Sequence, residues 1–227
     1  MSHAYERELA ASMAAGAHRR ERREFLMKIT FRIPNQSDFL SEQNWKPFGN
    51  PFTVKNFWIT VLKILPIFII IPFSIDLYFS LTYGRGFTDT LDWSLGVFVL
   101  YMLVILVLHE LLHASFFPGG LFSQKSYVGI SFPHLVAFAY YDGAMTRNRY
   151  LVVLLAPFTI LTVIPLLLIS VFGPSLSWFS KPLIQFAYLN GLASGYDLYS
   201  TFKILKTFKR NVYLRSTGKQ LFWKEKN

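Results

Sequence analysis

WSLGVFVLYMLVILVLHELLHASFF, residues Trp93–Phe117, is apolar along almost its whole length, yet it places His109, Glu110 and His113 within five residues of one another. A single charged side chain at the centre of a membrane helix costs about 2.5–3.5 kcal/mol, so ionisable groups in such a run are kept chiefly for function. Residues four apart share one face of a helix. His109 and His113 can therefore offer two imidazole nitrogens to one metal ion, with Glu110 beside them. The pattern His109-Glu110-Leu111-Leu112-His113 reads as part of a Zn²⁺ site with a base next to it.

The rest of the chain supports a membrane setting for that helix. Its 227 residues are 52% hydrophobic and 18% aromatic, with a mean hydropathy of +0.34, well above a typical soluble domain. Four stretches are long enough to cross a bilayer at about 1.5 Å rise per residue: roughly Phe57–Leu81, Trp93–Phe117, Tyr150–Phe172 and Trp178–Ile204. The expected fold is an all-α membrane protein with four transmembrane helices, and a β-hairpin or re-entrant loop between helices 2 and 3. That loop is Tyr127–Tyr141, rich in β-branched and aromatic residues but interrupted by Gly129, Pro133 and the Asp142-Gly143 turn. The expected divisions are a cytoplasmic N-terminal segment 1–56, a membrane domain 57–204 and a basic cytoplasmic tail 205–227. Residues 1–26 form a solvated helix or stay disordered, and the change in composition at Met27 suggests a native start there.

Charge sets the expected orientation. Nine Lys/Arg precede Phe57 and eight follow Phe202, while Lys125, Arg147 and Arg149 lie in the middle loop. The connections on the other side carry few. By the positive-inside rule, both termini and the middle loop face the cytoplasm, giving a multi-pass protein of the cell membrane. The net charge of +10 is thus explained by topology and lipid headgroups, and no basic-aromatic module points to nucleic acid. No cleavable leader is apparent, so Phe57–Leu81 is expected to act as a retained signal-anchor. Zero cysteines exclude thiolate ligands, disulfides and cysteine catalysis.

A third ligand must lie at the depth of His109 and His113 on another helix. Asp197, about two turns from the end of the fourth stretch, meets that condition; Asp76 falls on the order of 20 Å away by helical rise and reads as an interfacial or capping carboxylate. Asn190, Ser194 and Asp197 stand at i, i+4 and i+7, on one face. Asn190 and Ser194 either orient substrate or a developing oxyanion, or serve close helix packing together with Gly191, Ala193 and Gly195. Two His and one Asp leave the fourth tetrahedral position to water, as in catalytic zinc sites, and Glu110 is placed to take a proton and pass it to a leaving amine. His134 reads as a loop histidine, since no second ligand stands at a usable spacing. Fe²⁺, Co²⁺ or Mn²⁺ could occupy the same ligands.

These residues resemble a family of membrane zincin peptidases, long catalogued as a domain of unknown function and similar in plan to site-2 proteases. The resemblance rests on His109-Glu110-Leu111-Leu112-His113, on Arg149-Tyr150-Leu151 leading to Leu155-Ala156-Pro157-Phe158, and on Asn190 through Asp197. It implies zinc ligands His109, His113 and Asp197, with Glu110 as catalytic base. The distal aspartate departs from the site-2 pattern, lying in Gly195-Tyr196-Asp197-Leu198 rather than Asn-Pro-Asp-Gly or Leu-Asp-Gly. The resemblance further suggests that a strand edge within Tyr127–Tyr141 holds an unwound substrate, or that the loop plugs the cytoplasmic mouth. The expected function is a zinc-dependent peptidase cleaving a membrane-embedded or membrane-adjacent polypeptide near the cytoplasmic face. The alternatives are a non-catalytic metal-binding membrane partner or chaperone, and a metal transporter, which a ligand cluster at one depth disfavours.

Overall fold

Ser94 opens the first long helix, α1 (Leu95–Ser115), by accepting the Val97 N–H with its side chain. The computed structural model describes residues 27–34, 37–41, 44–50, scattered positions between 53 and 81, and then 94–132, 136–172, 177–209 and 211–226. Residues 1–26, most of the expected first span with Asp76, the connection 82–92 and His134 lie outside the described residues. α1 ends where Phe116 donates back to Leu112 and His113. Pro118 follows, then Gly119 and Gly120 at φ 81° and 58°, a left-handed pair that turns the chain away from the helix axis.

The chain beyond that turn is extended. Strands β3 (Ser126–Ser131) and β4 (Val136–Tyr141) pair antiparallel with Val128 opposite Ala139, and the earlier strand β1 (Lys28–Thr30) joins β3 in parallel, giving the order β1-β3-β4. This small sheet packs on the end of α1. Val128, Ala139 and Tyr141 cover a core of Ala114, Phe117, Met145 and Val153. Gly129 lies opposite Thr30, and a Cβ at Gly129 would run into the Thr30 carbonyl oxygen. The glycine that looked like an interruption of the segment is what allows the third strand to approach.

A second sheet has the order β2-β7-β6-β5, formed by β2 (Lys46–Phe48), β5 (Met145–Thr146), β6 (Val212–Ser216) and β7 (Leu221–Glu225). Thr146 then caps α2 (Arg147–Phe158) by accepting the Arg149 N–H. α2 runs through a π turn at Thr159–Val163 into α3 (Ile164–Phe172). Helices α4 (Ser177–Ala193) and α5 (Gly195–Thr207) follow, separated at Ser194. Leu151, Ile204, Phe208, Val212 and Leu214 join α2, α5 and the second sheet in one core.

The all-α, four-span expectation is therefore corrected: the protein is helical with two β-sheets. Among the described residues only two helices, Gly96–Ser115 and Arg147–Phe172, are long and apolar enough to cross a membrane. The expected fourth span is broken at Ser194 into two shorter helices, the second carrying Asp197, Lys203 and Lys206. The basic stretches before and after the helices were read by their charge, which masks a period of two. Val212 and Leu214 are buried, while Tyr213 and Arg215, which alternate with them, are only half-buried. Their cations lie over aromatic rings in and beside the same sheet, Lys46 over Trp223, Lys224 over Trp45 and Lys226 over Tyr213. The hairpin expected in the loop after α1 is present as β3–β4.

The close approach at Gly129 gives a first test. Gly129→Ala should push β1 off β3, so the amides of Lys28–Thr30 should exchange with deuterium markedly faster while the helical amides of 105–114 keep their protection.

Candidate metal centre

The buried face of α1 is set by the helical repeat. Ile105, His109 and His113 recur every four residues and are 0%, 5% and 7% exposed, whereas Leu103, Val104, Val107 and Leu108 point outward. Asp197 comes from the first turn of α5. Its Oδ2 stands 3.0 Å from His109 Nε2 and 3.4 Å from His113 Nε2, and the three candidate ligand atoms lie within 4.8 Å of one another. A tetrahedral Zn²⁺ with ligands at about 2.0–2.1 Å separates neighbouring donor atoms by roughly 3.3 Å. The two separations from Asp197 Oδ2 are close to that value.

The far side of each imidazole supports the same conclusion. His113 Nδ1 is 2.8 Å from the Val153 carbonyl oxygen, which can only accept, so Nδ1 carries the proton. His109 Nδ1 is 3.0 Å from Asn190 Oδ1. In the neutral imidazoles, Nε2 then presents a lone pair toward a carboxylate that also has only lone pairs to offer. A proton or a metal cation between them resolves the opposition. A divalent ion does so for all three groups at once, and carbonyl or amide partners behind metal-binding imidazoles are the usual means of aiming them.

Glu110 leaves α1 toward the hairpin, where its carboxylate lies beside the backbone of Ala139 in β4. The Asp142 N–H donates to the Lys125 carbonyl on the β3 side, so by the alternation of a strand the Ala139 N–H points away from β3, to the edge of β4 beside Glu110. The hairpin is anchored from behind: the Tyr140 hydroxyl donates to Ser216 O at 3.3 Å, and burial, aided by the Asp142 charge, pushes its pKa above the usual phenol range. Tyr140 thus stays a donor at any physiological pH. Arg149 closes the end of α1 by donating to the Phe117 carbonyl at 3.2 Å.

The structure thus gathers His109, His113 and Asp197, with Glu110 at their side. Asn190 and Ser194 are both completely buried. Asn190 touches His109, and the Ser194 hydroxyl donates to the Asn190 carbonyl at 2.8 Å. Three participants escaped the sequence reading: the carbonyls of Val153 and Pro157 and the Thr162 hydroxyl. Backbone groups leave no trace in side-chain identity. Thr162 did leave one, as a hydroxyl in the apolar run between Pro157 and Pro165.

The donor set, on helices and with a carboxylate following a paired-histidine motif, is one that could hold a metal ion. Residues 102–212, just under half of the chain, match the family model described as "Putative zincin peptidase". The matched segment contains the three donors, Glu110, the hairpin and the π turn. No curated protein and no solved structure matches the chain.

Elemental analysis of the purified full-length protein should find about one zinc per chain, absent in His113→Ala, reduced in Asp197→Asn and retained in Glu110→Gln, because only the first two variants remove a donor.

Proposed function

We propose that the protein is a zinc-dependent peptidase of the membrane, which hydrolyses peptide bonds of a membrane-embedded or membrane-adjacent polypeptide near the cytoplasmic face. The observation that carries this reading is the convergence of His109 Nε2, His113 Nε2 and Asp197 Oδ2 beside the Glu110 carboxylate. Three protein donors leave one tetrahedral position to water or substrate, and a structural site would have no use for a carboxylate base there. Zn²⁺, when bound, supplies a Lewis acid that polarises a scissile carbonyl and lowers the pKa of water toward about 7. Glu110 takes the proton of the attacking water on its carboxylate and delivers it to the departing amine.

The edge of β4 is suited to hold the substrate. Ala139 turns its N–H away from β3, and by the period of a strand Ala137 presents its backbone on the same edge. An extended segment hydrogen-bonded along that edge would lie next to Glu110, and a helical substrate would have to unwind to do so. The other edge of this sheet is occupied by β1.

Membrane residence is supported by the surfaces of the two long apolar helices. Only 22% of the Gly96–Ser115 window and 33% of the Arg147–Phe172 window is buried inside the protein, where the core helix of a soluble domain would be mostly covered. Leu100, Leu103, Val107, Leu167 and Val171 are all more than half exposed, and lipid is the medium in which such faces are stable. Both sheets attach where α1 ends and α2 begins. Lys125, Arg147 and Arg149 belong to the same end, which the positive-inside rule assigns to the cytoplasm.

Two outcomes follow. The protein should stay in the membrane pellet after alkaline carbonate extraction; release into the supernatant would remove the membrane from the proposal. Against a membrane-tethered reporter peptide, Glu110→Gln should lose about 10²–10⁴-fold in cleavage rate while keeping its zinc. Cleavage at the wild-type rate by Glu110→Gln would leave a non-catalytic metal-binding protein instead.

A further inference from the structure

The imidazole of His109 sits at the end of a chain of hydrogen bonds whose directions are all determined. Thr162, in the π turn between α2 and α3, has one hydroxyl proton and gives it to the Ala187 carbonyl of α4 at 2.9 Å. Its oxygen can then only accept from the remaining neighbour, Asn190 Nδ2 at 2.9 Å. The Pro157 carbonyl, 3.0 Å from the same nitrogen, is also an acceptor and nothing else. Ser194 has spent its own proton on the Asn190 carbonyl. The amide of Asn190 is thus held with its NH₂ group toward Pro157 and Thr162, and its Oδ1 toward His109 Nδ1. An amide oxygen accepts, so the imidazole must donate from Nδ1. The lone pair is left on Nε2, facing Asp197.

We propose that Thr162 and Asn190 are positioning residues, which hold His109 in its Nδ1–H form and thereby aim Nε2 at the metal. This rests on the metallopeptidase reading above. Asn190 is completely buried and Thr162 is 6% exposed, so no water substitutes for either partner. The π turn belongs to the same device: Ile164 donates to Thr159, five residues back, in the widened segment that brings Thr162 against α4. Such turns recur at functional sites. Without the Thr162 hydroxyl, one amide proton of Asn190 keeps only the long contact to Ser194 Oγ at 3.4 Å, and the Pro157 carbonyl alone is left to oppose reversal of the amide. A reversed amide would present N–H to Nδ1 and drive the proton of His109 onto Nε2, blocking the donor.

The test is Co²⁺ binding by chelator competition on the full chain in detergent, read together with the Co²⁺ visible spectrum. Thr162→Val, which keeps the shape and removes the hydroxyl, should weaken Co²⁺ binding about 10–100-fold, as loss of a partner behind a metal-binding histidine typically does, and alter the spectrum. Thr162→Ser, which keeps the hydroxyl, should restore wild-type affinity and spectrum. Asn190→Ala should behave like Thr162→Val and replaces it should that variant fail to fold. Wild-type affinity and spectrum in Thr162→Val or in Asn190→Ala would overturn the proposal, as would failure of Thr162→Ser to restore binding. Absence of Co²⁺ binding by the wild type, or undiminished binding by His109→Ala, would instead bring down the metal site itself, and the positioning role with it.

Discussion

The rest of the structure depends on an electrostatic opposition. Two imidazole nitrogens and a carboxylate oxygen converge within 4.8 Å, with their lone pairs turned inward and the other nitrogen of each imidazole committed to a partner. Inside a largely apolar pair of helices, water cannot relieve that opposition. A cation can, and the donor spacing matches a small divalent ion that prefers nitrogen and oxygen. The surrounding elements can be understood by what they contribute to holding the three donors in that arrangement.

α1 supplies the histidines because a 3.6-residue repeat puts positions four apart on one buried face. Asp197 reaches them from the first turn of α5, just past the boundary with α4 at Ser194. The same short stretch carries Asn190, which faces His109, and then Asp197, which faces both histidines. α2 supplies the Val153 carbonyl behind His113, and the π turn supplies Thr162. The hairpin is placed by its packing on Ala114 and Phe117, which sets an edge of β4, unpaired among the described residues, beside Glu110. One helix thus organises both the candidate donors and the neighbouring edge of β4.

The candidate site was legible in the sequence to an unusual degree, because its ligands are side chains whose cost in an apolar helix marks them. His109, His113 and Asp197 could be matched by depth alone. The sheets were much less legible. β1, β2 and β5 are two or three residues long, too short for a period to be read, and β6 and β7 carry basic residues that suggested a solvated tail. What makes them strands is pairing across large sequence distances, as between Lys46 and Trp223, and no local pattern encodes that. The long polar-and-apolar run near the C-terminus looked like one span, but α4 and α5 divide it at the residues that serve the site.

The sequence by itself determined which chemistry is available: two imidazoles and a carboxylate as donors, a glutamate as base, no thiols, and apolar helices to carry them. Composition and the helical repeat are local properties, and they suffice for that. Only the tertiary structure decided how each donor is aimed. The proton on an imidazole is placed by whatever faces its other nitrogen. For His109 that is an amide oriented in turn by Thr162 and Pro157, residues far away in the chain that come together only when α2, the π turn and α4 pack against α1.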